Sequence, residues 1–224
     1  SDNVEARMTG ADGVLAGLQK GAVVIDFGTS RPASTRMLAE KTAQAGGHFL
    51  DAPLGRTPAH AKYGKLNIMC AGDKGAYERV KPLLDTLGEN VFHLGESGTG
   101  NTIKLINNFF AMTTATAMAE AFAMGDAAGV DREKLYSVMA AGPLHSGMMD
   151  FVRNYAMEGE IDLAFSLANG RKDVGYFAAM ADHLGQEIRI GPATLAALSE
   201  AVESGWGDRM VPEIVDYFSK GEPK

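Results

Sequence analysis

Cysteine is almost absent from this chain: Cys70 stands alone among 224 residues. An internal disulfide is therefore excluded, and nothing points to an oxidising compartment. Cys70 lies in the mostly apolar run 66–71 and reads as a small core residue. Long apolar runs are missing too, since none reaches the ~18 residues of a membrane span. The first residues, Ser1-Asp2-Asn3-Val4-Glu5, lack the basic and apolar regions of a signal peptide, so a cytoplasmic protein is expected. Positive charge is scarce. Lys and Arg total 21 against 28 Asp and Glu, a formal charge of −7. Nucleic acid and anionic membranes are not expected partners, and any bound anion must be captured locally.

Several motifs are also missing. The five histidines show no i, i+3 or i, i+4 pairing and no cysteine partner, so no metal centre is expected. No Gly-x-Ser-x-Gly is present, which excludes a hydrolase elbow. No Gly-x-Gly-x-x-Gly follows a strand. The glycine-rich run Gly95-Glu96-Ser97-Gly98-Thr99-Gly100 has the wrong spacing for a dinucleotide fingerprint or a P-loop.

What is present is an ordinary globular composition, 46% hydrophobic and 22% charged, in a chain long enough to bury a core. Its organisation changes about halfway. The run Ala22-Val23-Val24-Ile25-Asp26-Phe27 reads as a buried parallel strand. A helix is predicted over 32–46, strands over 48–52 and 66–71, a helix over 74–87 and a strand over 91–94. This alternation indicates an α/β layer. Beyond Gly100 every pattern is helical: about 27 residues over 102–128, then 131–140, 147–157, 166–184, 192–204 and 211–219. The expected architecture is α/β followed by all-α. The α/β part has the look of the C-terminal half of a Rossmann-type parallel sheet domain, joined by a long helix to a helical domain. The expected division is 1–97 and 98–224. The 12 methionines and the pair Phe109-Phe110 read as helix packing.

Three places carry candidate chemistry. Lys104, Asn107 and Asn108 are spaced i, i+3, i+4, so the lysine shares a helix face with both amides. Apolar neighbours (Leu105, Ile106, Phe109, Phe110) disfavour its charge, and the amides offer partners to its ammonium or to a substrate oxygen. That is the pattern of a general acid/base, or of a polar helix start that satisfies nearby backbone. The loop Gly55-Arg56-Thr57 follows a strand's C-terminal end, where open α/β sheets bind ligands. Arg56 brings a donor fork for an anion, Thr57 a hydroxyl and Gly55 close backbone approach; the alternative is an ordinary strand-to-loop turn with a solvated arginine. Thr29 and Ser30 follow the first strand and either bind a ligand or cap the next helix.

Taken in order, these motifs resemble the β-hydroxyacid dehydrogenase family, which includes 3-hydroxyisobutyrate, tartronate semialdehyde and 6-phosphogluconate dehydrogenases. The resemblance covers essentially the whole chain. The family's Asp-x-Ser-Thr is matched by Asp26-Phe27-Gly28-Thr29, with Gly28 in place of Ser. Its Asp-x-Pro-Val-Ser-Gly-Gly loop and Ala-x-x-Gly are matched by Asp51-Ala52-Pro53-Leu54-Gly55-Arg56-Thr57 and Ala61-Lys62-Tyr63-Gly64. Its Gly-x-Gly-x-x-x-Lys-x-x-Asn-Asn is matched in full by Gly98, Gly100, Lys104, Asn107 and Asn108, and its late Lys-Asp pair by Lys172-Asp173. The resemblance implies an oxidoreductase using NAD or NADP, with Lys104 as catalytic acid/base. Gly55, Arg56, Thr57, Asn107 and Asn108 would bind substrate, and Thr29 and Lys172 cofactor.

Gly-Arg-Thr in place of Ser-Gly-Gly is similar to the sulfolactaldehyde and succinic semialdehyde reductase branch. It implies a short anionic aldehyde and its hydroxy acid as substrates. A 3-hydroxyisobutyrate or 2-hydroxy-3-oxopropionate-type dehydrogenase is the alternative within the family. The family's N-terminal fingerprint is missing, by roughly two βαβ units of ~30 residues each. The chain is therefore expected to be either a piece of a longer enzyme or a truncated, non-catalytic dimerisation module. The long helix and methionine-rich half imply a homodimer or homotetramer.

Overall fold

The computed structural model describes residues 1–220. Residues 221–224 lie outside it. The chain forms two compact units, Ser1–Ile106 and Asn107–Lys224.

In the first unit, β1 (Val23–Asp26) and β2 (His48–Asp51) run parallel. The helix α1 (Asp2–Thr9) precedes them. The crossover between the two strands is α2 (Pro32–Gln44), which begins with proline at its first position. Its N-cap is Arg31, so neither Thr29 nor Ser30 caps it. A two-residue strand, β3 (Leu54–Gly55), follows β2 directly, and both pair antiparallel with β4 (Leu66–Gly72) in one continuous register. The sheet is thus mixed rather than wholly parallel. Only the residues 56–65, including the short helix α3 (Pro58–Ala61), separate β3 from β4. So short a connection suits a hairpin-like return better than a parallel crossover. A second crossover, α4 (Lys74–Leu87), leads to β5 (Gly88–His93), which is parallel to β4. The side chain of Asp73 caps α4 by accepting the Ala76 amide at 2.8 Å.

Leu50, Ile68, Cys70, Tyr77 and Leu84 pack together between the sheet and α4. Cys70 is fully buried, and burial pushes its thiol up to about 12, which makes it unreactive. Periodicity did not predict α1, which lies in the polar N-terminal stretch. Two of its few apolar residues, Val4 and Met8, lie one turn apart and pack toward Leu38 and Phe49.

One helix of 29 residues, α5 (Thr99–Ala127), passes from the first unit into the second. The second unit adds α6 (Arg132–Ala140), α7 (Gly147–Glu158), α8 (Leu167–Leu184), α9 (Ile190–Ala201) and α10 (Ile214–Lys220). Asp131, Ser146 and Ser166 cap the first three of these helices with side-chain oxygens. Met112, Ala115, Met118, Ala119 and Phe122 of α5 repeat at helical spacing. They meet Val152 of α7, Val174 of α8, Leu198 of α9 and Trp206. Phe109 stacks on Phe177 at 4.3 Å between centroids, whereas Phe110 is 70% exposed and takes no part in that packing. Among the described residues no helix is long and apolar enough to cross a membrane.

Candidate active site

In the first unit the site is built around the N-terminus of α5. The opening turn of any helix leaves amide groups without intrahelical partners. Here a carboxylate from another element supplies them. Asp51, fully buried at the end of β2, accepts the Gly98 amide on Oδ1 at 2.8 Å and the Asn101 amide on Oδ2 at 2.9 Å. A negative charge at that helix end is favoured by the dipole. Burial nevertheless pushes the Asp51 carboxyl above its ordinary range, with the amide hydrogen bonds opposing that rise.

Asn101, also fully buried, continues the network. Its Oδ1 accepts the Ser30 amide at 2.8 Å, and its Nδ2 donates to Thr35 at 3.1 Å. Asp26 closes the other side by accepting the Gly28 amide at 2.8 Å. The start of α5 is thereby fixed over the C-terminal ends of β1 and β2. The two glycines of this turn have different reasons to be glycine. Gly98 sits at φ +90°, in the left-handed region. Gly100 passes so close to β4 that a Cβ would clash with the Met69 carbonyl oxygen. Lys104 follows one turn later and is half-buried.

Thr29 stands beside these groups, half-buried just past the end of β1. The adjoining Gly28 is exposed, and among the described residues the only atoms near its open side belong to Asp26. Bare backbone at a parallel strand's C-terminal end, next to a hydroxyl, is the kind of place where α/β sheets receive a ligand.

The loop at 55–57 differs from the expectation in its surroundings. Gly55 faces β4, where a Cβ would lie 3.2 Å from the Asn67 Cβ. Arg56 adopts φ +71°, the only left-handed residue other than glycine among those described. Such a backbone costs about 1–2 kcal/mol. Its Nη1 is engaged twice, by Glu89 at 2.5 Å and by the Lys65 carbonyl at 2.8 Å. Arg56 in turn holds the Glu89 carboxyl below its ordinary range. Thr57 is buried, and its hydroxyl lies 2.8 Å from Nδ1 of His60.

In the second unit, Asn108 and Lys172 are brought together by one group that spacing alone did not single out. Asp173 is 1% exposed. Its Oδ2 accepts Nδ2 of Asn108 at 2.6 Å across α5 and α8. Its Oδ1 lies 2.9 Å from Nζ of Lys172, an ion pair without the alignment of a hydrogen bond. With its nitrogen committed, Asn108 turns its carbonyl oxygen away from Asp173, toward Nδ2 of Asn107 at 3.5 Å. Asn107 itself is exposed. Lys172 also lies 5.4 Å over the Tyr176 ring.

Asp51, Asn101 and Glu89 are the partners to which the sequence alone assigns no role. Their contacts join segments far apart in the chain, so no spacing betrays them. A separate cleft of about 420 Å³ is lined by Gly72, Asp73, Lys74, His93, Gly95, Glu96 and Ser97. None of the candidate site residues lines it.

The chain is similar to known proteins over most of its length. Residues 1–95 match the NAD binding domain of 6-phosphogluconate dehydrogenase. Residues 98–218 match the family described as NAD-binding of NADP-dependent 3-hydroxyisobutyrate dehydrogenase. The 3-sulfolactaldehyde reductase of Escherichia coli K12 is 31% identical over 92% of this chain and 70% of its own length. Glyoxylate/succinic semialdehyde reductase 2 of Arabidopsis thaliana, a chloroplast protein, is 27% identical over 96% of this chain. The chain spans only 60% of that relative's length. Among solved structures, 3-hydroxyisobutyrate dehydrogenase from Salmonella typhimurium superposes with a TM-score of 0.82 at 25% identity, over 95% of this chain and 75% of that one. The sequence motifs, the fold and both family matches converge: the chain belongs to the β-hydroxyacid dehydrogenase family, of the 3-hydroxyisobutyrate dehydrogenase type.

Proposed function

We propose that the protein is an NAD(P)-dependent oxidoreductase that interconverts a short anionic aldehyde and its hydroxy acid, with Lys104 as general acid/base. The observation that carries this reading is the placement of Lys104. It lies one turn into a helix whose start is fixed by Asp51 and Asn101, on the helical face it shares with Asn107 and Asn108.

NAD or NADP, when bound, supplies hydride chemistry that no side chain of the protein offers. Thr29 at the bare strand end and Lys172 beside a buried carboxylate fit such a cofactor. In the reducing direction the Lys104 ammonium donates a proton to the substrate oxygen as negative charge develops there; in the oxidising direction the amine accepts it. Asn108 presents its carbonyl oxygen to the substrate, and Asn107 adds a second amide.

Gly55, Arg56 and Thr57 hold the acid group. With a chain charge of −7, this local capture sets the preference for an anionic aldehyde. 3-Sulfolactaldehyde is favoured, with succinic semialdehyde as the second candidate, in line with the two reductases compared above. Phe110 and Met124, 70% and 71% exposed on α5, support association into a homodimer or homotetramer.

One observation favours a second reading. Arg56 already has a carboxylate partner in Glu89, which would free the loop for an ordinary 3-hydroxy acid. Kinetics with 3-sulfolactaldehyde, succinic semialdehyde and 3-hydroxyisobutyrate, each with both nucleotides, separate the two. With the sulfonate aldehyde as substrate, an Arg56→Ala variant is expected to show KM raised roughly 10- to 150-fold and little change in kcat. An unchanged KM shows that Arg56 is not the anion clamp.

A further inference from the structure

We infer that His60 governs whether Thr57 can donate a hydrogen bond to the substrate's acid group, which makes His60 a positioning residue for substrate selection. The inference rests on the reading that the loop 55–57 holds that group. Thr57 is the N-cap residue of α3, yet its hydroxyl makes no capping bond. Instead Oγ1 lies 2.8 Å from Nδ1 of His60.

A hydroxyl has one hydrogen to give. When Nδ1 is bare, it takes that hydrogen, and Thr57 then turns only lone pairs toward an incoming anion. When Nδ1 carries a proton, it donates to Oγ1, and the hydroxyl hydrogen is released to point at the anion. The imidazolium form carries protons on both ring nitrogens and so enforces the second arrangement.

The backbone holds the two side chains in this relation. The Thr57 carbonyl accepts the amides of His60 at 3.0 Å and Ala61 at 3.3 Å. The His60 carbonyl accepts those of Tyr63 at 3.1 Å and Lys65 at 3.0 Å. Glu89 of β5 lies within electrostatic reach of His60, Arg56 and Lys65. Arg56 and Glu89 pair with each other at 2.5 Å. Protonation at His60 thus acts on the anion in two ways, by adding positive charge and by turning Thr57 into a donor.

The test follows KM against pH, with sulfolactaldehyde as the varied substrate and nucleotide at saturation. The range runs from about pH 5.5 to 8.5, on either side of the ordinary imidazole range. The sulfonate stays ionised throughout. The wild-type KM is expected to rise roughly two- to tenfold with pH, while the kcat profile does not follow it. His60→Ala is expected to give a flat KM below the high-pH wild-type value, because the hydroxyl then rotates freely. Thr57→Val is expected to give a raised, flat KM with His60 intact. Melting temperatures of both variants report their folding. A Thr57→Val enzyme with unchanged KM overturns the anion-loop reading itself. A flat wild-type KM, or a slope that persists in His60→Ala, overturns the role of His60 alone.

Discussion

Lys104→Ala is expected to lower kcat by roughly 10²- to 10⁴-fold, the contribution of a positioned general acid/base. The helix start that carries Lys104 is held by Asp51 and Asn101. The variant should therefore bind substrate and nucleotide nearly as well as wild type, and melt within about 2 °C of it. Lys104→Arg should not restore turnover, because a guanidinium does not release its proton in the working pH range. Steady-state kinetics beside a thermal melt check both halves. Full turnover in Lys104→Ala removes the lysine from the mechanism. Lost turnover with a collapsed melt would instead make it a structural residue.

Gly100→Ala is expected to be the more damaging change to the fold. The new methyl would clash with the Met69 carbonyl oxygen, and would lie 2.9 Å from the Asp51 carboxylate and 3.2 Å from the Asp51 carbonyl. Two of these are backbone atoms of neighbouring strands and cannot swing aside, so the first turn of α5 must lift. Lifting it breaks the bonds from Gly98 and Asn101 to Asp51 and leaves a buried carboxylate short of donors. The cost is about 3 kcal/mol or more, or roughly 6–12 °C in Tm for a chain of this size. Gly98→Ala meets a different obstacle, its left-handed backbone. A Gly100→Ala protein that melts like wild type would show that α5 does not run that close to β4.

Much of the fold was legible because its signals are local. The helix 74–87 begins after an aspartate that caps it and ends at Gly88, and the structure places it over the same residues. The apolar runs of β1, β2 and β4 needed no partner to be recognised. The alternation of the first half and the helices of the second follow from such short-range patterns. Helix α1 escaped because so few of its residues are apolar that no stripe shows. The antiparallel return of β3 and β4 escaped because a two-residue strand has no periodicity to read.

The site divides in the same way. Lys104, Asn107 and Asn108 are a helical spacing and can be read directly. The groups that fix their surroundings are joined through space. Asp51 reaches residues 47 and 50 positions away, and Asn108 reaches Asp173 across 65. Arg56 was visible as a cation at a loop. Its left-handed backbone and its pairing with Glu89 become apparent only once β5 lies beside the loop.

The carboxylate of Asp173 has a consequence for redesign. Asn108 and Lys172 share it, one on each oxygen. A change made at Lys172, the proposed cofactor contact, withdraws a cation from beside a buried charge. The carboxylate then loses its cationic partner, and the Asn108 amide it orients shifts with it. On the proposed roles, with Lys172 at the cofactor and Asn108 at the substrate, retuning one contact entails re-optimising the other through a single oxygen pair.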